Sequence, residues 1–317
     1  MKKLVSVLLA AMMLLCTVSA VAEAQYKVGV CQLVTHDALD AATQGFIDAL
    51  TAEMGEGVVE FDVQNAAGDS NTCSTIVNAF VADEVDLILA NATPALQAAT
   101  AATADIPILG TSVTEYGVAL SIDGFTGTVG GNVSGTSDLA PLDKQADMII
   151  ELFPEAKKVG LIYCSAEANS QYQVDTVKAA LEAKGLTATL YPFADSNDAA
   201  AVVQTACDNS DVLYVPTDNT AAANTGIIDN ICQPAGKAVV AGEEGICAGC
   251  GVATLSISYY DLGVTTGKMA AQILKGEADI STMPIAYADN FTPKYNPVIC
   301  EALNLTIPET YTAMDIK

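Results

Sequence analysis

From Tyr26 onward, short apolar runs alternate with longer stretches in which apolar residues recur every third or fourth position. The runs Tyr26–Gln32, Val58–Val63, Val85–Ala90 and Ile106–Leu109 predict strands buried on both faces, which read as continuous apolar segments. Asp37–Met54 carries Ala38, Ala41, Ala42, Gly45, Phe46, Ala49 and Leu50 at helical spacing. A turn at Gly68–Asn71 opens a second helix, Thr72–Asp83, and Thr93 with Pro94 pairs a helix cap with a first-turn proline. This alternation argues for a parallel, doubly wound α/β sheet.

The pattern then begins again. Lys27–Val30 is answered by Lys158–Leu161, Asp69–Asn71 by Asp195–Asn197, Asp86–Thr93 by Asp211–Asp218, and Ile108–Ser112 by Val239–Glu243. Four matches in one order, at offsets between 125 and 131 residues, imply a duplication and hence two Rossmann-like lobes with parallel sheets. Extended stretches at Gly124–Gly135, Val252–Tyr260 and Ile285–Lys294, a helix over Tyr260–Lys275 and a short one near Pro297–Leu303 fall outside the repeat. They predict a hinge of three crossings, near 136–139, 257–260 and 288–293. Lobe one is then 25–137 with 259–290, and lobe two is 138–258 with 291–317.

Ligands of such sheets bind beyond the carboxyl ends of the strands. Lobe one offers Gln32, His36, Asn91, Thr93, Ser112 and Thr114 there; lobe two offers Ser165, Glu167, Asn169, Ser170, Thr217, Asp218, Asn219, Glu243 and Glu244. The acidic groups gather in lobe two, at the tips that close Asp211–Val215 and Ala238–Ala241. A zwitterionic amino acid suits that division. Its ammonium would pair with Asp218, or next with Glu243, because a cation in a closed cleft needs a carboxylate. Its carboxylate would fall to hydroxyls and helix N-termini around Thr93 and Ser112–Thr114, since the chain has no arginine and no lysine at a tip. Structural alternatives stand beside these roles: Asp218, Asn219 and Thr93 can cap helices, Glu243 and Glu244 can be a solvated pair, and His36 can be a plain loop residue.

Charge and composition narrow the class. At 317 residues, 51% hydrophobic and 16% charged, the chain is globular and long enough for two lobes. A net charge of −25, with all 13 basic residues lysine, leaves nothing to neutralise phosphates, so no nucleic acid is expected. Lys2 and Lys3, the apolar run Leu4–Leu15 and Ala22-Glu23-Ala24 read as a secretory signal cleaved after Ala24. Cys16 offers a lipid anchor as the alternative, although Leu15 before it is bulky for that processing. The expectation is an exported protein of the periplasm or cell surface. Eight cysteines follow the signal, an even number that permits disulfides without fixing their connectivity, buried thiols being the other reading.

Catalytic signals are missing. One histidine makes no zinc site and completes no triad, and Gly263–Met269 is too short for a phosphate loop and falls within a helix. Cys247 and Cys250 have redox spacing but precede a strand, and no second such pair supports structural zinc. No catalytic residue, metal or cofactor is therefore expected. An exported hydrolase and a sensory solute receptor remain the competing classes.

Several segments together resemble a known family: Asp37–Asp40, Gly45–Asp48, Gln64–Asp69, Ala92–Pro94, Gly131–Gly135 with Ser137 and Asp138, Glu167–Ser170, Pro216–Asn219, Gly242–Gly245, and Tyr259–Gly263 through Gly267–Ala271. The chain is similar, over its mature length, to ABC-transporter substrate-binding proteins of the tryptophan/tyrosine-uptake type. That resemblance implies a type I periplasmic-binding-protein fold, an amino-acid ligand (often aromatic), no enzymatic activity, a monomer, and permease and ATPase partners on separate chains. It adds Ser137 and Asp138 to the candidate ligand residues. The family pattern usually lacks the Cys247 and Cys250 pair.

Overall fold

The computed structural model describes residues 24–288 and 290–316; the expected signal segment up to residue 23, Cys16 included, lies outside them. Lobe one contains β1 (Tyr26–Gln32), α1 (Asp37–Met54), β2 (Val59–Asn65), α2 (Ser70–Ala82), β3 (Leu87–Asn91), α3 (Thr93–Ala102), β4 (Ile108–Val113), the short α4 (Tyr116–Ala119) and β5 (Val133–Ser137). Lobe two repeats the order with α5 (Leu142–Leu152), β6 (Lys158–Cys164), α6 (Ala168–Ala183), β7 (Thr187–Phe193), α7 (Ser196–Asn209), β8 (Val212–Val215), α8 (Asn219–Ala222), α9 (Thr225–Cys232), β9 (Val239–Ala241), α10 (Glu244–Cys250) and β10 (Ala253–Ser256). After it come α11 (Tyr259–Leu274), β11 (Ala286–Tyr287), β12 (Thr292–Tyr295), α12 (Pro297–Ala302) and β13 (Thr312–Ala313).

The parallel strand order β5-β4-β3-β1-β2 of the first sheet recurs as β10-β9-β8-β6-β7 in the second. Duplicated residues do duplicated work. Asp86 accepts the backbone N–H of Lys27 ahead of β3, and Asp211 accepts those of Lys157 and Lys158 ahead of β8. Asp69 and Asp195 cap α2 and α7 by accepting from the second residue of each helix.

Each sheet is covered on both faces. In lobe one, α2 and α3 pack around Phe80 and Leu96 on one side, while α1 and α11 pack around Phe46 and Met269 on the other. In lobe two, α5 and α6 cover one face and α7, α9 and α10 the other. The helix α11 reaches lobe one only after the chain has built lobe two, and its docking on α1 is backbone to backbone. A Cβ on Gly263 would lie 2.0 Å from the Ala42 carbonyl oxygen, and one on Gly45 2.1 Å from that of Tyr260.

The chain crosses between the sheets after β5, after β10 and between β11 and β12; β11 joins the first sheet beside β5, and β12 the second beside β10, antiparallel. One expectation needs refinement and one holds. The glycine-rich connector ends in a real strand, β5, whose buried Ser134 and Thr136 bond the Met283 carbonyl and Thr266 and so tolerate burial without an apolar side chain. Cys247 and Cys250 lie at the middle and the end of α10, which precedes β10, so the pair opens no helix, as expected.

Candidate ligand-binding site

The strand tips of lobe one are held in strained geometry. Ala92, between β3 and α3, has φ +94°, and Ser112, at an irregularity where β4 shifts register against β5, has φ +53°. Non-glycine residues adopt such angles only where surrounding contacts hold them, often at ligand sites. Beneath this irregularity lies buried Tyr116: its hydroxyl donates to the Thr136 carbonyl, and Gly110 and Gly135 leave the room it occupies. Because Ala92 takes the cap position, Thr93 is the first residue of α3 instead of its cap, and its buried hydroxyl has no capping duty. The Ser112 hydroxyl is buried without a partner.

Gln32 is committed within its own lobe. Its amide donates to the Val34 carbonyl and Asp40, and its oxygen accepts from Thr43, which also receives the Asn91 amide. It shapes the β1–α1 loop.

Lobe two uses its carboxylates differently. Glu167 accepts from Asn169, from the backbone and side chain of Asn219, and from the backbone and hydroxyl of Thr220, tying the β6 and β8 tips together. Asp218 accepts the Cys164 N–H at 2.6 Å and the Ala221 N–H at 2.8 Å, with Ser170 against it. Glu243 accepts from Gly245 and Ile246 and so caps α10. The expected ammonium partners therefore already have a partner on each oxygen. Burial, with Glu167 beside it, raises the pKa of Asp218, and burial lifts Glu243 to about 7.

Asp138 differs from both. It follows β5 at the first crossing, 4% exposed, and one oxygen accepts the Tyr259 phenol at 2.9 Å. The other oxygen has no partner. Burial raises its pKa, with bonds from the Thr114 and Tyr259 hydroxyls opposing that shift. Ser137 donates to the Thr114 carbonyl, and the Asp138 N–H to that of Val113. Tyr259 also meets the Thr217 hydroxyl, and the Thr217 carbonyl accepts the amide of buried Asn169, whose own oxygen is unpartnered. A run of contacts thus leads from Val113, next to Ser112 in the chain, through Asp138, Tyr259 and Thr217 to Asn169, crossing from lobe one through the hinge to lobe two. Along it lie an open hydroxyl, an open carboxylate oxygen and an open amide oxygen.

A crevice of about 250 Å³ separates Leu33, Val34 and Pro94 of lobe one from Ala166, Glu167 and Ala194 of lobe two; it reaches the run only through Glu167 and Asn219, the neighbours of Asn169. His36 bridges the lobes beside this crevice with a 3.4 Å contact to the Asn219 oxygen, and burial lowers its pKa. Among the described residues, no group of three or more His, Cys, Asp or Glu side chains could hold a metal ion.

Residues 27–315 match the family of ABC transporter substrate binding proteins. The chain belongs to that family. It is 35% identical over 287 residues to a tyrosine-binding protein of Clostridioides difficile (strain R20291), covering 89% of this chain and 81% of that one. A Streptococcus pneumonia ABC domain solved in complex with L-Trp superposes with a TM-score of 0.86 at 33% identity, over 90% of this chain and 97% of that one. The ligand-free, open structure of a Clostridium difficile substrate-binding protein with adhesive properties gives only 0.70, at 36% identity and over 92% and 100% of the chains. The two-lobe periplasmic-binding-protein fold is thus shared, and the family is one of solute-binding proteins of ABC transporters, not of enzymes.

Four further residues enter this candidate site: the sequence shows His36, Asn91 and Glu167 as tip residues, Glu167 also within a family motif, and Tyr259 only as the start of a family motif. Tyr259 was hard to see because its role depends on the second crossing bringing it back to the first.

Proposed function

We propose that this substrate-binding protein captures an aromatic amino acid of the tyrosine and tryptophan class outside the cytoplasm and delivers it to a permease and ATPase on separate chains. The observation that supports this most is the unpartnered oxygen of buried Asp138 at the hinge. A buried carboxylate with no cation beside it and one oxygen open is costly, and a ligand ammonium removes that cost. The Asn169 oxygen is the second acceptor for the ammonium, from lobe two. The Ser112 hydroxyl and the amides opening α3 at Thr93 take the ligand carboxylate, a role hydroxyls and helix N-termini fill where arginine is absent. Leu33, Val34 and Pro94 wall the crevice where an aromatic ring would lie.

The remaining candidates support these contacts. Thr114 and Ser137 hold Asp138, Gln32 shapes the β1–α1 loop, and Ser170, Thr217, Asn219, Asp218 and Glu243 shape the lobe-two tips. The moving bodies are 25–137 with 259–290 and 138–258 with 291–317, and a ligand touching both favours closure by its differential contacts. The protein acts as a monomer, released by cleavage after Ala24.

Calorimetry with L-tyrosine, L-tryptophan and L-phenylalanine beside aliphatic amino acids, nucleosides and sugars tests the reading. Aromatic amino acids should bind at about micromolar dissociation constants, roughly −8 kcal/mol. Binding of another class, with none for aromatic amino acids, would overturn it.

A further inference from the structure

The thiols of lobe two gather on one face of its sheet, where Cys164, Cys207, Cys232, Cys247 and Cys250 share one apolar cluster. Four of the chain's thiols donate to backbone carbonyls: Cys164 to Ala194, Cys247 to Gly251, Cys250 to Ile246 and Cys300 to Val252. Cys207 and Cys232 meet each other instead, sulfur to sulfur at 3.5 Å, and each is 1% exposed. Cys207 belongs to α7 and Cys232 ends α9. Between them the chain runs through β8 and the tip that bears Thr217, Asp218 and Asn219.

We infer that Cys207 and Cys232 form a disulfide site that ties α9 to α7 and so encloses the lobe-two tip in a covalent loop. The sulfurs need to approach by about 1.5 Å to reach bonding distance, which lies within side-chain rotation. The oxidant is a disulfide, either of an exported oxidoreductase or of a small thiol. One protein thiolate attacks it and releases a thiol of the oxidant; the second protein thiolate then displaces the other half. The protein loses two protons and two electrons, and the oxidant becomes two thiols. Outside the cytoplasm such bonds persist. Burial of both sulfurs places the exchange during folding, while α7 and α9 dock, and shields the bond from reductants afterwards.

The test is to refold the reduced protein in mixed oxidised and reduced glutathione, block free thiols with iodoacetamide and map the peptides. The expected result is a linked pair of peptides carrying Cys207 and Cys232, with a thermal midpoint roughly 5–10 °C above that of the reduced protein. In Cys232→Ala the linked pair should vanish and Cys207 should take up iodoacetamide on unfolding. Alkylation of both Cys207 and Cys232 after oxidative refolding, or linkage of either to a different cysteine, would overturn the inference.

Discussion

The tips of the two lobes occupy equivalent places in a duplicated fold and handle polarity in opposite ways. Lobe two buries three carboxylates, Glu167, Asp218 and Glu243, and meets each with N–H or hydroxyl donors from its own loops. Lobe one buries no carboxylate at its tips, its half-buried Glu115 capping α4 through the Val118 N–H; it holds Ala92 and Ser112 in left-handed backbone and leaves the Ser112 hydroxyl open. The carboxylates of the acidic jaw are self-satisfied, whereas the open atoms are the Ser112 hydroxyl of the neutral jaw, the Asp138 oxygen at the hinge and, in lobe two, only the neutral Asn169 amide oxygen among these tip groups. Acidity at a strand tip therefore marks loop scaffolding as readily as it marks a ligand site. What separates the two is the number of donors that reach each oxygen.

The largest expected effect separates hinge from tip. Asp138→Ala should weaken binding of an aromatic amino acid by about two orders of magnitude or more, the loss typical of removing one partner of a buried charge pair. Stability of the ligand-free protein should change by less than about 1 kcal/mol, because relief of a buried carboxylate offsets the loss of the Tyr259 phenol's partner, as chemical denaturation would report. Asp218→Ala should do the reverse. It strands the Cys164 and Ala221 N–H groups and should cost about 2–3 kcal/mol of stability with less than about tenfold loss of affinity. Equal affinity losses in the two variants would erase the distinction drawn between them.

Ser112→Ala tests the neutral jaw. It removes an unpartnered hydroxyl, so ligand-free stability should hold while affinity drops about tenfold, the worth of one hydrogen bond to a charged group. Loss of stability with unchanged affinity would make Ser112 a structural residue.

The smallest effects are pH dependences, and they have opposite signs. Burial raises the pKa values of Glu243, to about 7, and of Asp218, so the folded protein holds protons that the unfolded chain has released. Their favourable contribution is complete below the ordinary carboxylate range and is lost as pH rises through about 7. Ligand-free stability should accordingly decline between about pH 4 and 7 on their account. Ligand affinity should instead fall on acidification, because Asp138, its pKa raised by burial, must be ionised to meet an ammonium. Calorimetry in buffers of different ionisation enthalpy should detect proton release on binding, and Asp138→Asn should abolish it.

Much of the frame was legible in the chain. Continuous apolar runs announce strands covered on both faces, and paired aspartates such as Asp86 and Asp211 recur because each start of β1 and β6 needs the same backbone acceptor. The strand β5 was not legible, since Ser134 and Thr136 are polar and become buried only by bonding partners more than a hundred residues away. At the site, all the candidate residues lie at tips or crossings, yet their roles could not be ranked. Asp138 and Asp218 look alike in one dimension. Only folding shows that two backbone N–H groups reach Asp218 while one oxygen of Asp138 is left open.

The account rests on a ligand ammonium at Asp138, and a four-way binding comparison tests it most directly. L-tyrosine and its analogue lacking the amino group are titrated into the native protein and into Asp138→Asn. The native protein should prefer tyrosine by about two orders of magnitude, and Asp138→Asn should bind the two with nearly equal affinity. A preference that survives in Asp138→Asn would contradict the account and place the ammonium elsewhere.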